Sequence, residues 1–381
     1  MDMIDTTLEA AAGTRIAIID LGPYLKGEPG ALERTAKALG EASESLGFYF
    51  IKNHGVPQAL IDRVFAEAER FHSLPLERKM AVKCLDKVVG YLPLGGQTQR
   101  LIYKGGTHPD RSASYYIKAE YPPDHPYRWA KHEWVFDNRW PEDLPGFRDT
   151  CLEYFDAMTA LALKLLPLQS VALDLPADYL PQHEAFNPGV NTLRLLCYPP
   201  RDEALEGQFG ISPHTDYGFM TLLAQAKRPG LEIATKSGEW IQAPALDGHF
   251  LVNHADMCRR WTNDRFRSAP HRVINLKGET RYSIPFFVGT RWHVKLPCLP
   301  TCQGPDNPPR YPTMSFGDYM AEVTPKIYDA LKKRRESRWR GRCPRWRSAL
   351  PPIRRRREFS GCRYRRNPLP WRTCARRRGP T

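Results

Sequence analysis

A chain of 381 residues has room for two or three domains, or for one large all-β core with helical additions, and its 41% hydrophobic and 26% charged residues are a globular composition, which excludes a fibrous or wholly disordered protein. The formal charge of +14 invites a nucleic-acid reading, but residues 332–381 hold 20 Lys and Arg against two acids, while residues 1–331 hold 36 basic against 40 acidic residues. The body is mildly acidic and the basic excess is a tail, so a basic nucleic-acid-binding core is excluded.

No run approaches the roughly 18 consecutive apolar residues of a spanning helix, and MDMIDTTLEAAAGTR lacks the layout of a secretory signal. Nine scattered cysteines form no disulfide framework. These features predict a soluble, cytoplasmic protein with reduced thiols and no membrane partner.

Along the chain, RIAIID (15–20) alternates like a strand. A helix follows with Leu32, Ala36, Leu39 and Leu46 near a 3.6 period and Gly47 at its end. FYFIK (48–52) reads as a strand ending at the turn Asn53-His54-Gly55, and 58–71 as a second amphipathic helix. From Gly90 to Pro145 the chain is punctuated by Gly and Pro and carries Tyr103, Tyr115, Tyr116, Tyr121 and Trp129, which suits loops and short strands over a site. Residues 148–173 are helical, with Pro167 expected to kink or interrupt the pattern. From residue 190 seven short β-like runs follow: VNTLRLLCY, FMTLLAQ, LEIAT, EWIQAP, HFLVNHAD, HRVIN and RYSIPFFVG. Their spacing predicts a mainly β protein with helices, whose core is a sandwich or jelly roll. Between residues 334 and 381 there are 18 arginines and no lysine, a composition expected to be disordered. That segment is readable as an RNA-binding arm, or as GC-rich DNA translated in a shifted frame.

The chemistry centres on Pro213-His214-Thr215-Asp216, with His271 55 residues beyond Asp216. On a strand, His214 and Asp216 share a face, and two imidazoles with one carboxylate form the facial triad of non-haem Fe(II) enzymes, leaving open positions for substrate and dioxygen. Ten residues after His271 comes Arg281-Tyr282-Ser283, which places a guanidinium and a hydroxyl on one face, able to grip the far carboxylate of a dicarboxylate. Tyr198 is a further donor near that point, and GFMTLL (218–223) is an apolar strand that anchors the ligands. A rival motif, His254-Ala255-Asp256, lies too close to His271 for intervening strands to bring a third ligand back, so the first motif is preferred and His254 is read as a structural turn residue. Cys298 and Cys302 lack the second pair of a zinc site.

With these residues in view, the chain resembles the isopenicillin N synthase-like family of Fe(II)- and 2-oxoglutarate-dependent oxygenases. GFYFIKNHGVP, NTLRLLCYPP, ISPHTDYGFMTLLAQ, RRWTNDRFRSAPHRVIN and RYSIPFF follow in that family's order, and the likeness covers roughly residues 15–330. It implies a double-stranded β-helix (jelly roll) core with an α/β N-terminal region. The divisions expected are 1–150 as the N-terminal dioxygenase-type region, 151–331 as the jelly-roll core with its leading helix, and 332–381 as the tail. By the same resemblance His214, Asp216 and His271 hold iron, and Arg281 and Ser283 hold the distal carboxylate of 2-oxoglutarate, with Tyr198 the further donor that its position offers; a small-molecule substrate is expected under the segment from Tyr91 to Tyr121, with Tyr116 lining its place. The implied reaction oxidises that substrate with O2 while 2-oxoglutarate leaves as succinate and CO2. Alternatives are a family oxidase using iron and O2 alone, an ethylene- and succinate-forming enzyme, and an Arg-tail nucleic-acid-binding protein.

Overall fold

The computed structural model describes residues 7–9, 15–84, 88–97, 108–121, 124, 137–186, 189–200, 207–226 and 228–327. The Arg-rich segment, Tyr103 and Trp129 lie outside them. Two helices, α1 (Ala31–Ser45) and α2 (Gln58–His72), follow the predicted periods, and Gly47 ends the first with φ +79. The third, α3 (Phe147–Ala172), runs unbroken through Pro167, contrary to the expected interruption. Proline removes the bond to the carbonyl of Leu163, and Leu163 sits on the exposed side of the helix, where water can satisfy that carbonyl.

The strands are β1 (Thr7–Glu9), β2 (Arg15–Asp20), β3 (Phe48–Lys52), β4 (Gly90–Leu92), β5 (Ala113–Lys118), β6 (Val190–Tyr198), β7 (Ile211–His214), β8 (Met220–Gln225), β9 (Leu231–Ala234), β10 (Trp240–Ala243), β11 (Phe250–His254), β12 (His271–Val273) and β13 (Arg281–Gly289), with a short pair, β14 (Lys295–Leu296) and β15 (Met314–Ser315). All seven predicted runs are strands. A nine-stranded sheet is ordered β1-β2-β3-β11-β8-β13-β6-β5-β4, and a four-stranded sheet β10-β9-β12-β7. Strands from both sides of residue 150 share the larger sheet.

Period-two alternation builds three layers. On β3, Tyr49 and Ile51 pack with the helices, while Phe48 and Phe50 pack with Ile211, Ile233, Ile241 and Val273 of the smaller sheet. Each large side chain so buried contributes roughly 1.5–3 kcal/mol. Strand β6 alternates the same way: Leu193 and Leu195 join the helix-side core, and Thr192, Arg194, Leu196 and Tyr198 face the space between the sheets.

Between β7 and β8 the chain crosses from the smaller sheet to the larger through residues 215–219. This crossover is fastened on two sides. Phe219 N–H donates to Val288 O at 2.7 Å, and the amides of Ala255, Asp256 and Met257, at the start of helix α4 (Asp256–Trp261), donate to the carbonyls of Phe219 (3.1 Å), Asp216 (2.9 Å) and Gly218 (3.0 Å). The approach requires glycine at 218, because a Cβ there would meet Val288 O at 2.6 Å. Gly218→Ala is therefore expected to lower stability by about 1–3 kcal/mol in urea denaturation. Gly304→Ala, whose Cβ meets nothing within 4 Å, is the neutral control.

Candidate metal centre

His214 ends β7 and His271 opens β12, directly opposite one another in the ladder, with ring centroids 4.3 Å apart. His214 Nδ1 lies 2.9 Å from Ser212 O and His271 Nδ1 3.2 Å from Ala269 O. A carbonyl only accepts, so each Nδ1 carries the hydrogen and each Nε2 keeps its lone pair. Asp216 does not share the strand of His214, as the sequence reading had it. β7 stops at His214, because the chain there leaves the smaller sheet, and Asp216 reaches the imidazoles from the crossover.

Asp216 Oδ1 lies 3.9 Å from His214 Nε2 and 3.8 Å from His271 Nε2. Its other oxygen, Oδ2, accepts from Thr221 Oγ1 at 2.6 Å and from Asn253 Nδ2 at 2.8 Å. The three candidate ligand atoms lie within 4.8 Å of one another, all three residues are buried, and this is the one such group of His, Cys, Asp or Glu among the described residues. Burial and the neighbouring His271 push the His214 imidazole down to about 3, against the pull of Asp216. For Asp216, burial acts to raise the carboxyl, but the two imidazoles and the bonds from Asn253 and Thr221 outweigh it and hold the group below its usual range. An ionised carboxylate beside two imidazole nitrogens is the donor set of a divalent cation.

The same cavity carries Arg281, Ser283 and Tyr198. Arg281 and Ser283 share one face of β13, opposite Tyr198 and Leu196 of β6, as their spacing predicts. Ser283 Oγ and Tyr198 Oη are hydrogen-bonded at 3.2 Å, and the Arg281 guanidinium stands 5.1 Å from the Tyr198 ring centroid. Arg281 is 3% exposed and its Nε donates to Arg228 O at 3.2 Å, but its buried Nη1 has no partner among the described residues. A buried cationic donor without an acceptor is costly to maintain, and a carboxylate satisfies it.

Tyr116 stands apart from this group. It lines a neighbouring cavity, with its hydroxyl donating to Gln97 Oε1 at 3.3 Å and its ring under the Arg194 guanidinium. His254 ends β11 rather than sitting in a turn. It is fully buried, Nε2 2.8 Å from Ser43 Oγ and stacked on Phe266. Asp256 accepts from Thr215 Oγ1 at 3.0 Å and Tyr319 Oη at 2.6 Å, so the rival motif braces the crossover that bears Asp216. Cys298 and Cys302 are free. Sequence reasoning missed Thr221 and Asn253. Their only signal is a polar residue on the sandwich face of an otherwise apolar strand.

The family model described as non-haem dioxygenase in morphine synthesis N-terminal matches residues 16–143, and that of the 2OG-Fe(II) oxygenase superfamily matches 190–290. The 2-oxoglutarate-Fe(II) type oxidoreductase hxnY of Emericella nidulans is 36% identical over 334 residues, covering 84% of this chain and 94% of that protein. The 2-oxoglutarate-dependent dioxygenase tropC of Talaromyces stipitatus is 32% identical over 292 residues, 74% of this chain and 88% of that protein. Among solved structures, full-length Neurospora crassa T7H in complex with alpha-KG and thymine superposes with a TM-score of 0.72 at 28% identity, over 83% of this chain and 98% of that one. The chain belongs to the 2OG-Fe(II) oxygenase superfamily. It is an oxidoreductase that uses Fe(II), 2-oxoglutarate and O2, and its sheet-rich fold with helices is that of the jelly-roll oxygenases.

Burial pushes four imidazoles well down: His54 and His72 to about 4, His214 and His254 to about 3. Each is neutral when folded and takes up a proton near pH 6.5 when unfolded, so the stability it contributes is complete above that pH and is lost as pH falls toward the folded values. Each contributes a slope of roughly 1.4 kcal/mol per pH unit within that window. Urea midpoints of the metal-free protein are expected to be level from pH 8 to 7 and to drop steeply between pH 6 and 4.5.

Proposed function

We propose that His214, Asp216 and His271 are the iron ligands and that Arg281, with Ser283 and Tyr198, receives the distal carboxylate of 2-oxoglutarate. The observation that carries this reading is one buried cavity with three convergent donors on one wall and, on another, a buried guanidinium whose Nη1 has no partner among the described residues. Bound iron would supply a place for dioxygen to act as the oxidant: 2-oxoglutarate would give two of the four electrons and leave as succinate and CO2, and the substrate would give the other two.

The chain's own residues bind, orient and exclude water. Ser212 and Ala269 fix the imidazole tautomers. Thr221 and Asn253 occupy one oxygen of Asp216 and leave the other for metal. Leu196, Leu223, Leu231 and Val273 line the cavity with apolar surface, which strengthens the hold of Arg281 on an anion. The substrate is a small organic molecule in the adjoining cavity of about 130 Å³, which His214 and Asp216 also line and where Tyr116 meets it. T7H holding thymine supports that scale. Among the described residues no helix is long and apolar enough to cross a membrane, and the six described cysteines are free, which supports a reducing cytoplasmic compartment.

Arg281→Ala is expected to raise the KM for 2-oxoglutarate by about 10- to 100-fold and to weaken the visible charge-transfer band formed anaerobically with Fe(II) and 2-oxoglutarate. Thr221→Val leaves Asp216 with one of its two orienting bonds and should weaken Fe(II) binding by about tenfold. A metal titration by calorimetry reads that loss.

A further inference from the structure

The cavity beside the metal centre is walled by the end strands of the larger sheet, and its side chains follow from register. On one face of β5 and β6, Tyr116 is opposite Arg194 and Lys118 is opposite Thr192. All four line the cavity, so two cationic side chains, one residue pair apart, project from the same face into the same space.

Both cations are held in place. The Arg194 Nε donates to Ser114 Oγ at 2.9 Å, and its Nη2 donates to Ser114 Oγ at 2.6 Å and Gln97 Oε1 at 2.9 Å. It stacks on the Tyr116 ring at 4.7 Å and is 6% exposed. Lys118 is half-buried and donates to Thr192 Oγ1 at 2.6 Å, while Asn138 clamps its backbone through bonds of 2.9 Å to both its N–H and its carbonyl. Ser114, Gln97 and Thr192 are neutral, so they orient these charges without cancelling them. Among the described lining residues the one carboxylate is Asp216, which the metal centre uses. The other walls are aromatic and apolar: Phe287, Trp292, Phe316, Met320.

We propose that the primary substrate is a small organic carboxylate, its carboxylate seated against Lys118 and Arg194 and its apolar body between the aromatic wall and the metal centre. The proposal rests on the reading of His214, Asp216 and His271 as the iron site, which sets the end of the cavity where oxidation occurs. Burial holds the Lys118 ammonium down to about 8, and a bound anion restores its full charge. The arrangement discriminates against neutral analogues, since among the described residues a neutral group leaves the desolvated Lys118 ammonium with only the neutral Thr192 hydroxyl.

The test uses the full chain loaded with Mn(II) and 2-oxoglutarate. Binding of benzoate, phenylacetate and cyclohexanecarboxylate is measured by calorimetry against the three corresponding amides. The Fe(II)–2-oxoglutarate charge-transfer band of each protein is recorded separately. Acids are expected to bind about tenfold or more tighter than amides. Lys118→Met should erase most of that preference, and Lys118→Arg, which keeps the charge should the methionine variant fold poorly, should retain it. A normal band with acids and amides bound equally, or with the preference intact in Lys118→Met, overturns the carboxylate proposal alone. A missing band with the preference retained overturns the iron assignment and leaves the anion seat standing.

Discussion

The site depends on the five-residue crossover between the two sheets. A carboxylate has to stand at the level of two imidazoles fixed on a different sheet, and a regular strand cannot put it there. Leaving β7 after His214 frees the backbone of residues 215–219 from the ladder, and an unpaired buried backbone is costly unless its polar groups find other partners. The larger sheet supplies one at Val288 O, and the first amides of α4 supply the rest. Those amides are the unpaired donors that every helix start leaves over, so one arrangement satisfies the helix and the crossover together. Gly218 permits the close approach.

The same geometry explains how one sheet face serves three tasks. Along a single level of the larger sheet, Lys118 is opposite Thr192, Thr192 opposite Phe287, Phe287 opposite Thr221, Thr221 opposite Asn253, and Asn253 opposite Phe48. The middle of this row orients Asp216, one end reaches the cavity with the two cations, and the other meets the hydrophobic sandwich. Further along β13, toward its start, are Ser283 and Arg281. The cationic side chains of this face therefore fall at separate places: Arg281 near the start of β13, Lys118 on β5 at the second cavity, and Arg194 between them, lining both cavities.

Much of this was legible in the sequence because it rests on short-range rules. The seven runs after residue 190, the helices at 31–45 and 58–72, and the shared face of Arg281 and Ser283 follow from period two or period 3.6 alone. Pairing, by contrast, is long-range. Asn253 bonds to Asp216 across 37 residues, and the Lys118–Thr192 pair closes a separation of 74, and nothing local in either segment marks the partner. The misplacement of Asp216 on the strand of His214 has the same origin: an i, i+2 pattern does not say where a strand ends. Pro167 illustrates the opposite limit, a local breaking rule overridden because the helix is buried along one side while the affected carbonyl faces outward.

The two His-x-Asp motifs show how a sequence pattern and its chemistry separate. Both present an imidazole and a carboxylate two residues apart at the end of a strand, and both are buried. What differs is where the polar atoms are already committed. His254 has Nε2 against Ser43 Oγ, Nδ1 3.6 Å from Cys258 Sγ and a stacked Phe266 on its face, and Asp256 accepts from Thr215 and Tyr319 on Oδ2 while its Oδ1 faces Arg259 at 3.7 Å, so among the described residues the pair gathers no third ligand at a shared point. In the other motif every named bond falls on the far atom, Nδ1 of each imidazole and Oδ2 of the carboxylate, leaving Nε2, Nε2 and Oδ1 converging. A ligand set is thus defined less by its residue types than by hydrogen bonds that occupy the wrong-facing atoms. On that criterion the second motif is a brace for the first, since Thr215, which Asp256 holds, lies between His214 and Asp216.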